Sequence, residues 1–464
     1  MGRRRKRIRQ EQLWTPTDAL PISASHPFYQ KLNQLLDERR FDEVVERMCE
    51  RFYAERMGRP GLAPGIYFRL LMVGYFEGID SERGIAWRAS DSLSIRSFVR
   101  IALDETVPDH STISRTRRLM DLETHQAVFQ WVLQVLAERN LLKGNTIGVD
   151  ATTLEANAAL RSIVRRDTGE QYNEFLTRLA KESGIQTPTR EQLAKLDRKR
   201  KKKGSNDEWQ HPQDPDARIT KMKDGRTHLA HKAEHAVDME TGAIVAVTMQ
   251  AADEGDTTTV VETVAEAGER IAETAAETNS EEAGERVNPE GPREIVTDKG
   301  YHSKKVVSDL AAAGLRTYCS EPQRGPQRWR GQAREQQAVY ANRRRIRGDR
   351  GKRLLRQRAE KLERWNAHLY DRGGMRRVHL RGRTNILKRL TVHAGAANLG
   401  LLMRELFGVG TPRALQSRLG AVFSFISALI RAMRLLWLLK TSEGRPASET
   451  ARKYPATSSV PVAT

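Results

Sequence analysis

Apolar residues recur at three- and four-residue spacing from His26 to about Lys143, the period of helices with one buried face. The stretches "FYQKLNQLLDERRFDEVVERMCERFYAER" and "GIYFRLLMVGYFEGI" follow this pattern. In "THQAVFQWVLQVLAERNLL" the residues Val128, Trp131, Val132, Val135 and Leu136 share one helical face. "RPGLAPG" (59–65) interrupts the pattern as a turn. A shorter helix is predicted in "VPDHSTISRTRRLM" (107–120), where Pro108 stops the preceding segment and Asp109 or Ser111 can cap the next. Its exposed face carries Ser114, Arg115, Arg117 and Arg118. Such a helix can enter a DNA groove with its arginines on phosphates, or it can be an ordinary capped surface helix.

From Asn145 the pattern becomes that of strands. "TIGVD" reads as a short strand, and "HLAHKAEHAVDMETGAIVAVTMQ" (228–250) as a hairpin turning at "DMETGA". "TTTVVETVAEAGERI" then reads as a helix, "REIVTD" as a strand, "SKKVVSDLAAAG" as a helix and "LRTYCSE" as a strand. This order predicts an α/β core with a mixed sheet flanked by helices, behind an all-α N-terminal region. Two polar insertions interrupt it. Residues 161–225 are helical in pattern and contain the basic run "RKRKKKG", while 273–292, "ETAAETNSEEAGERVNPEGP", read as an acidic solvated loop.

Charge sharpens the picture. The 464 residues carry a formal surplus of +20, and the sequence pI is about 10.1. Polyanionic partners are favoured, because neutralising phosphates releases counterions. Residues 321–358 hold 13 Arg or Lys against three acids, half of the whole surplus, with Trp329 and Tyr340 able to stack on bases or sugars. The two cysteines, Cys49 and Cys319, form no CxxC pair, which suits a reducing cytoplasm and leaves no cysteine-based zinc site. "MGRRRKRIRQ" leads into no apolar stretch, and "LGAVFSFISALI" (419–430) is too short to span a bilayer. A soluble protein with no secretory signal is therefore expected.

Candidate chemistry lies in "GVDATTLEANA" and "VTDKGYHS", where Asp150 and Asp298 each close a short apolar run. Carboxylates at strand ends project from a sheet edge, where α/β proteins build sites. A set of carboxylates without cysteine or a histidine cluster selects Mg²⁺ or Mn²⁺ over zinc. A third carboxylate is available in "LLRQRAEKLERWNAHLY", where Glu360 and Glu363 lie one turn apart. Taken singly, each acid can equally be a cap or a surface ion-pair partner.

Nearly the whole chain resembles bacterial insertion-sequence transposases of the DDE class. "GRPGLAPGIYFRLLMVGYFEGIDSERGIAWRASDSLSIRSFV" and "VPDHSTISRTRRLM" are similar to their helical DNA-binding domain. "GVDATTLEANAALRSIVRRDTGEQYNEFL", "DPDARITKMKDGRTHLAHKAEHAVD" and "VTDKGYHS" resemble the blocks that carry the two aspartates. "ANRRRIRGDRGKRLLRQRAEKLERWNAHLYDRGGMRRVHLRGRTNILKRLTVHAGAANLGLLMR" resembles the closing block with the glutamate. With the helical and strand patterns, the resemblance divides the chain into a basic flexible arm (1–20), a helical DNA-binding domain (21–143) and a ribonuclease-H-like catalytic domain (144–407). The catalytic domain has insertions at about 161–225 and 321–350 and an acidic loop at about 273–292. A C-terminal helix (408–440) and a disordered tail (441–464) complete the chain.

The resemblance implies that Asp150, Asp298 and Glu363 are the catalytic residues and hold Mg²⁺ or Mn²⁺, two ions per site. Many relatives carry Tyr-x-x-Arg-x-x-x-Glu-x-x-x-x-x-x-Lys. Here Ala359 stands four before Glu363, Arg356 seven before and Tyr370 seven after, with Arg358 displaced by one. Glu360 is the alternative third acid. Lys299 and Tyr301 would lie near the scissile phosphate, unless Gly300 only makes a turn and Lys299 is only solvated. Arg343, Arg344, Arg345, Arg347 and Arg358 would follow the DNA backbone. The implied activity is cleavage at the terminal inverted repeats of an insertion sequence and attack of the freed 3′-hydroxyl on double-stranded target DNA. No covalent protein–DNA intermediate is needed, and a homodimer in a synaptic complex, cytoplasmic and nucleoid-associated, is implied. No membrane and no small-molecule substrate is involved. A metal-dependent nuclease of the same fold and an inactive DNA-binding derivative are the alternatives.

Overall fold

The structure is a computed structural model that describes residues 27–54, 61–200, 204–222, 224–278 and 286–414. The arm at 1–20, the middle of the "RKRKKKG" run, residues 279–285 of the acidic loop, the C-terminal helix beyond 414 and the tail lie outside them. The chain divides into two units, Met1–Pro412 and Arg413–Thr464. All the described residues except Arg413 and Ala414 belong to the first unit.

Among the described residues seven α-helices come first: α1 (Pro27–Glu38), α2 (Phe41–Cys49), α3 (Pro64–Glu77), α4 (Glu82–Asp91), α5 (Leu93–Val99), α6 (His110–Leu119) and α7 (Leu122–Glu138). Short polar side chains start four of them. Ser81, Ser92, Asp109 and Asp121 accept hydrogen bonds from backbone N–H groups three residues on. Asp109, not Ser111, caps α6, and these bonds hold its carboxyl down at about 2. Nearly every residue of α3 is buried, so it is the central helix of this region. Its buried guanidinium, Arg69, is neutralised by Asp42 at 3.0 Å.

The sheet comes after these helices. β1 (Thr146–Glu155) is joined through β2 (Val164–Arg165), α8 (Tyr172–Glu182), α9 (Arg190–Lys199) and β3 (Trp209–Gln210) to β4 (Arg218–Lys221). β5 (Thr227–Asp238) and β6 (Ile244–Ala251) form the hairpin, and α10 (Asp256–Thr278), β7 (Glu294–Thr297), α11 (Lys304–Ala312) and β8 (Arg316–Cys319) come next. The chain then runs through α12 (Ala333–Arg347), α13 (Asp349–Asn366), a π-helical turn (Ala367–Arg372) and α14 (Arg383–Phe407).

β5 lies antiparallel to β1 on one side, and on its other side it pairs with β4 at one end and β6 at the other. β7 lies parallel to β1, and β8 parallel to β7. The sheet is therefore mixed, as the element order predicted. α13 covers the face to which Gly148 and Asp150 belong, and α10 covers the opposite face, where Glu234 meets Thr259 and Thr263.

Three expectations need correction. "TIGVD" is only half of a strand, because β5 is long enough to pair with β1 from Ile147 to Glu155. Asp150 is thus mid-strand in β1, although β7 ends beside it. The first part of the supposed acidic loop is the end of α10, whose Ile271, Thr274 and Ala275 are buried. The insertion at 161–225 is not merely polar, since Ile163, Phe175, Leu176 and Trp209 build a satellite core with Ala156, Ala217 and Leu229.

The helical region and the sheet share a core through α14, which packs on α3, α7 and β6. Arg389 of α14 is buried and donates to the Ile79 carbonyl at 2.9 Å and to His393 Nε2 at 2.7 Å. Burial lowers its pKa to about 10. Lys388 Nζ donates to the carbonyl of Met120 at 2.7 Å, behind α6.

Candidate active site

β1 and β7 pair in parallel as Thr146 with Glu294, Ile147 with Ile295 and Gly148 with Val296. That offset of 148 residues also separates Asp150 from Asp298, so the register brings the two aspartates side by side on one face. Direct geometry agrees. Arg358 Nη2 on α13 lies 2.7 Å from Asp150 Oδ1 and 3.8 Å from Asp298 Oδ2, one guanidinium serving both carboxylates. Asn366 Nδ2, two turns further along α13, donates to Asp150 Oδ2 at 2.8 Å. The helix can come this close because Gly148 has no side chain; a Cβ there would stand 2.7 Å from Leu362 Cδ1 and 2.6 Å from Met239 Sδ.

Asp298 is held at its own strand end. Its Oδ1 accepts from Gly300 N at 2.8 Å and so caps the turn Lys299–Tyr301, and its carbonyl accepts from Cys319 Sγ at 3.3 Å. Burial pushes the Cys319 thiol up to about 11, so it stays protonated and can donate. The Asp298 side chain is 42% exposed against 18% for Asp150, so the pair opens to solvent on the Asp298 side.

Beneath the pair lies His235, opposite Asp150 in β5 and fully buried, with its ring centroid 6.0 Å from that of Tyr370. Burial drives the imidazole down to about 4, so it is neutral at ordinary pH. On the other face Glu234 accepts from Tyr301 Oη at 2.9 Å and from Thr259 Oγ1 at 3.1 Å. Its burial raises its pKa despite these donors.

Glu363 is exposed on α13, between Arg358 and Asn366. At 3.6 residues per turn it stands about 60° around the helix from Asn366 and about 140° from Arg358, whereas Glu360 stands about 120° and about 160° from them. Glu360 is also paired with Arg364 at 2.6 Å. Among the described residues no group of three His, Cys, Asp or Glu stands ready to hold a metal ion. The structure thus joins Asp150 and Asp298 and leaves Glu363 apart from them. Another acid borders the same edge: Gly300 stands between the carboxylates of Asp298 and Asp256, and Asp256 is engaged by Lys232 at 2.7 Å.

The N-terminal helices carry the deciding comparison. Residues 18–119 match the family model of a transposase domain, Transposase domain (DUF772). No curated protein and no solved structure matches the chain. The transposase-domain match ends at Leu119, the last residue of α6.

Within that transposase domain, Arg115 and Arg118 are exposed on α6, while Arg117 is buried against Glu82 and Asn385. Arg117 is therefore a packing residue in this arrangement. The basic residues further on divide in the same way. Arg344, Arg347 and Lys299 are exposed. Arg343 is paired with Glu321 at 2.6 Å, and Arg345 donates to the Thr317 carbonyl at 2.9 Å. Arg358 serves the aspartates, and Tyr301 is buried on Glu234. Trp329 packs on Tyr340, with ring centroids 5.9 Å apart.

Asn366, Asp256, His235 and Glu234 escaped the sequence reading. The alternation in "HLAHKAEHAVD" gave a signal for the last two, because a buried strand with polar side chains on both faces needs polar partners there. Among the described residues no helix is long and apolar enough to cross a membrane.

Proposed function

We propose that this chain is a transposase of the DDE class, which cuts DNA at the ends of its insertion sequence and joins them to a double-stranded target. The observation that carries the reading is the meeting of Asp150 and Asp298 on adjacent parallel strands behind a transposase domain. The strand order β6-β5-β1-β7-β8, three antiparallel strands followed by two parallel ones, supports a ribonuclease-H-like core.

The donor chemistry fits a hard divalent cation in part. Two carboxylates suit Mg²⁺ or Mn²⁺, and Glu363, the third donor that the resemblance implies, would have to be brought to them. Such ions, when bound, supply an activated water or 3′-hydroxyl and stabilise the leaving oxygen of a phosphodiester. The chain's own residues do the rest. Gly148 lets α13 approach β1, Asn366 orients Asp150, and the Gly300 amide and Cys319 thiol fix Asp298. Arg358 neutralises the carboxylates, and a guanidinium released from them would be free to pair with a phosphate. Arg115, Arg118, Arg344, Arg347 and Lys299 supply exposed charge for the DNA backbone. Joining two ends calls for a homodimer.

The test uses purified protein and labelled DNA ends, with Mg²⁺, with EDTA, and with Asp298→Asn or Glu363→Gln. Metal-dependent joining that both substitutions abolish supports the reading. Activity that survives Glu363→Gln removes that residue from the site, and cleavage without joining makes the protein a nuclease. One observation favours a purely DNA-binding protein: Arg358 already neutralises both aspartates. Binding to element ends without cleavage under any divalent metal would decide for it.

A further inference from the structure

Beyond Asp150, β1 continues for five residues without β7 beside it. A different segment takes that place. The Glu155 amide donates to the Arg376 carbonyl at 3.0 Å, and the Val378 amide donates to the Glu155 carbonyl at 2.9 Å, so residues 376–378 run parallel to the end of β1. Asn157 Nδ2 ties the next turn through the His379 carbonyl at 3.1 Å.

Two clefts open along this border. One, of about 270 Å³, begins at Thr152, two residues beyond Asp150 on the same face of β1, and has Arg376 in its wall. The other, of about 470 Å³, extends to Leu160 and is lined by Asn157, Ser162, His211, Gln213, Arg377 and Arg381. They share Glu155 and His228, so they adjoin as one trough along this border; by strand alternation both shared side chains belong to the sheet face opposite Asp150. The larger cleft has the size of pockets that enclose a small ligand, about 300–1,000 Å³.

In the lining of the trough Arg376, Arg377 and Arg381 stand against Glu155 and Asp224. Arg376 is engaged by Asp371 at 2.8 Å and by Thr152 at 2.9 Å. Arg377 is 63% exposed, and the carboxylate of Glu155 is 3.7 Å away. Arg381 is exposed at the mouth. His211 is nearly buried, and its pKa is lowered by burial first and by the charge of Arg381 second. Exposed guanidinium groups beside the hydrogen-bonding side chains of Asn157, Ser162 and Gln213 make a ready place for an anion. Leu160, Pro212 and Leu229 add apolar wall, which suits the face of a base.

We propose that this trough binds a single strand of nucleic acid, its phosphates on Arg377 and Arg381. The proposal rests on the reading of this chain as a DNA-acting protein and names where an unpaired strand would run. It adds a function for the segment 376–381, which the catalytic residues do not use.

Binding is measured in EDTA by fluorescence anisotropy over a range of salt concentrations, with labelled oligothymidine of ten nucleotides and with a blunt 20-base-pair duplex. Each single-stranded phosphate contact contributes about 0.7 to the slope of log affinity against log salt. Arg377→Ala with Arg381→Ala is expected to lower that slope by about 1.4 for oligothymidine and to leave it unchanged for the duplex. Lysine at both positions is expected to restore it. Glu155→Gln, which removes the carboxylate facing Arg377, is expected to tighten oligothymidine binding several-fold. An unchanged slope in the double alanine variant, or equal falls on both probes, overturns the proposal. If that variant does not fold, an unchanged or weaker affinity in Glu155→Gln overturns it. Since no cleavage is read, the trough can fail while catalysis stands, and absent cleavage leaves the trough intact.

Discussion

Arg358 is the most informative single position. Replacement by methionine keeps the stem and removes the charge between Asp150 and Asp298. Removing one partner of a fully buried ion pair costs about 3–5 kcal/mol, and an exposed pair contributes about 0–1 kcal/mol. Here the guanidinium is 12% exposed, Asp150 18% and Asp298 42%, between those limits. The Asn366 hydrogen bond to Asp150 survives the change. A loss of about 2 kcal/mol is therefore expected in EDTA. If the two carboxylates are a cation site, Mg²⁺ should restore much of that loss. Ligand at ten times its Kd stabilises by about 1.4 kcal/mol. Wild type should respond less, because its guanidinium competes for the same oxygens. The assay is thermal unfolding followed by tryptophan fluorescence, with EDTA and with increasing MgCl₂, on wild type, Arg358→Met, and Arg358→Met combined with Asp298→Asn. The double variant should lose the Mg²⁺ response. An Arg358→Met protein as stable as wild type refutes the electrostatic argument. One that is destabilised but indifferent to Mg²⁺ refutes the metal site.

Three further outcomes are expected from the packing. Arg117→Ala breaks the buried pair with Glu82 and should cost about 3 kcal/mol. Arg115→Ala and Arg118→Ala should leave urea midpoints unchanged while lowering the salt dependence of duplex binding. Gly148→Ala forces a methyl against Leu362 and Met239 and should cost about 1–3 kcal/mol. It should reduce DNA cleavage more than DNA binding, since it displaces α13 from Asp150. Glu234 gives a pH signature. Its folded pKa lies above the unfolded value, so the stability of wild type relative to Glu234→Gln should rise as pH falls from neutral through the raised pKa to the ordinary carboxylate range. Denaturation midpoints of the two proteins across that window test this, and parallel curves would refute a raised folded pKa for Glu234.

The sequence by itself determined the local elements and the offset between the two aspartates. Helical period, the Asp109 cap and the turn between β5 and β6 are properties of a few neighbouring residues, and the structure contains all three. The 148-residue spacing of Asp150 and Asp298 turned into a shared sheet position because β1 and β7 pair in that same register. What each charge does was decided only by the tertiary structure. Arg344, Arg345 and Arg358 look alike in a basic run, yet one is exposed, one holds the Thr317 carbonyl and one lies between two carboxylates. Periodicity assigns a residue to a face but does not say what will stand opposite it, and the aspartates' partners on α13 are more than 200 positions from Asp150. The same limit hid the length of β1, which is set by β5, and the role of α14, which binds the first helices to the sheet. An arginine can serve an aspartate or a phosphate with equal chemistry, and only the arrangement in space selects between them.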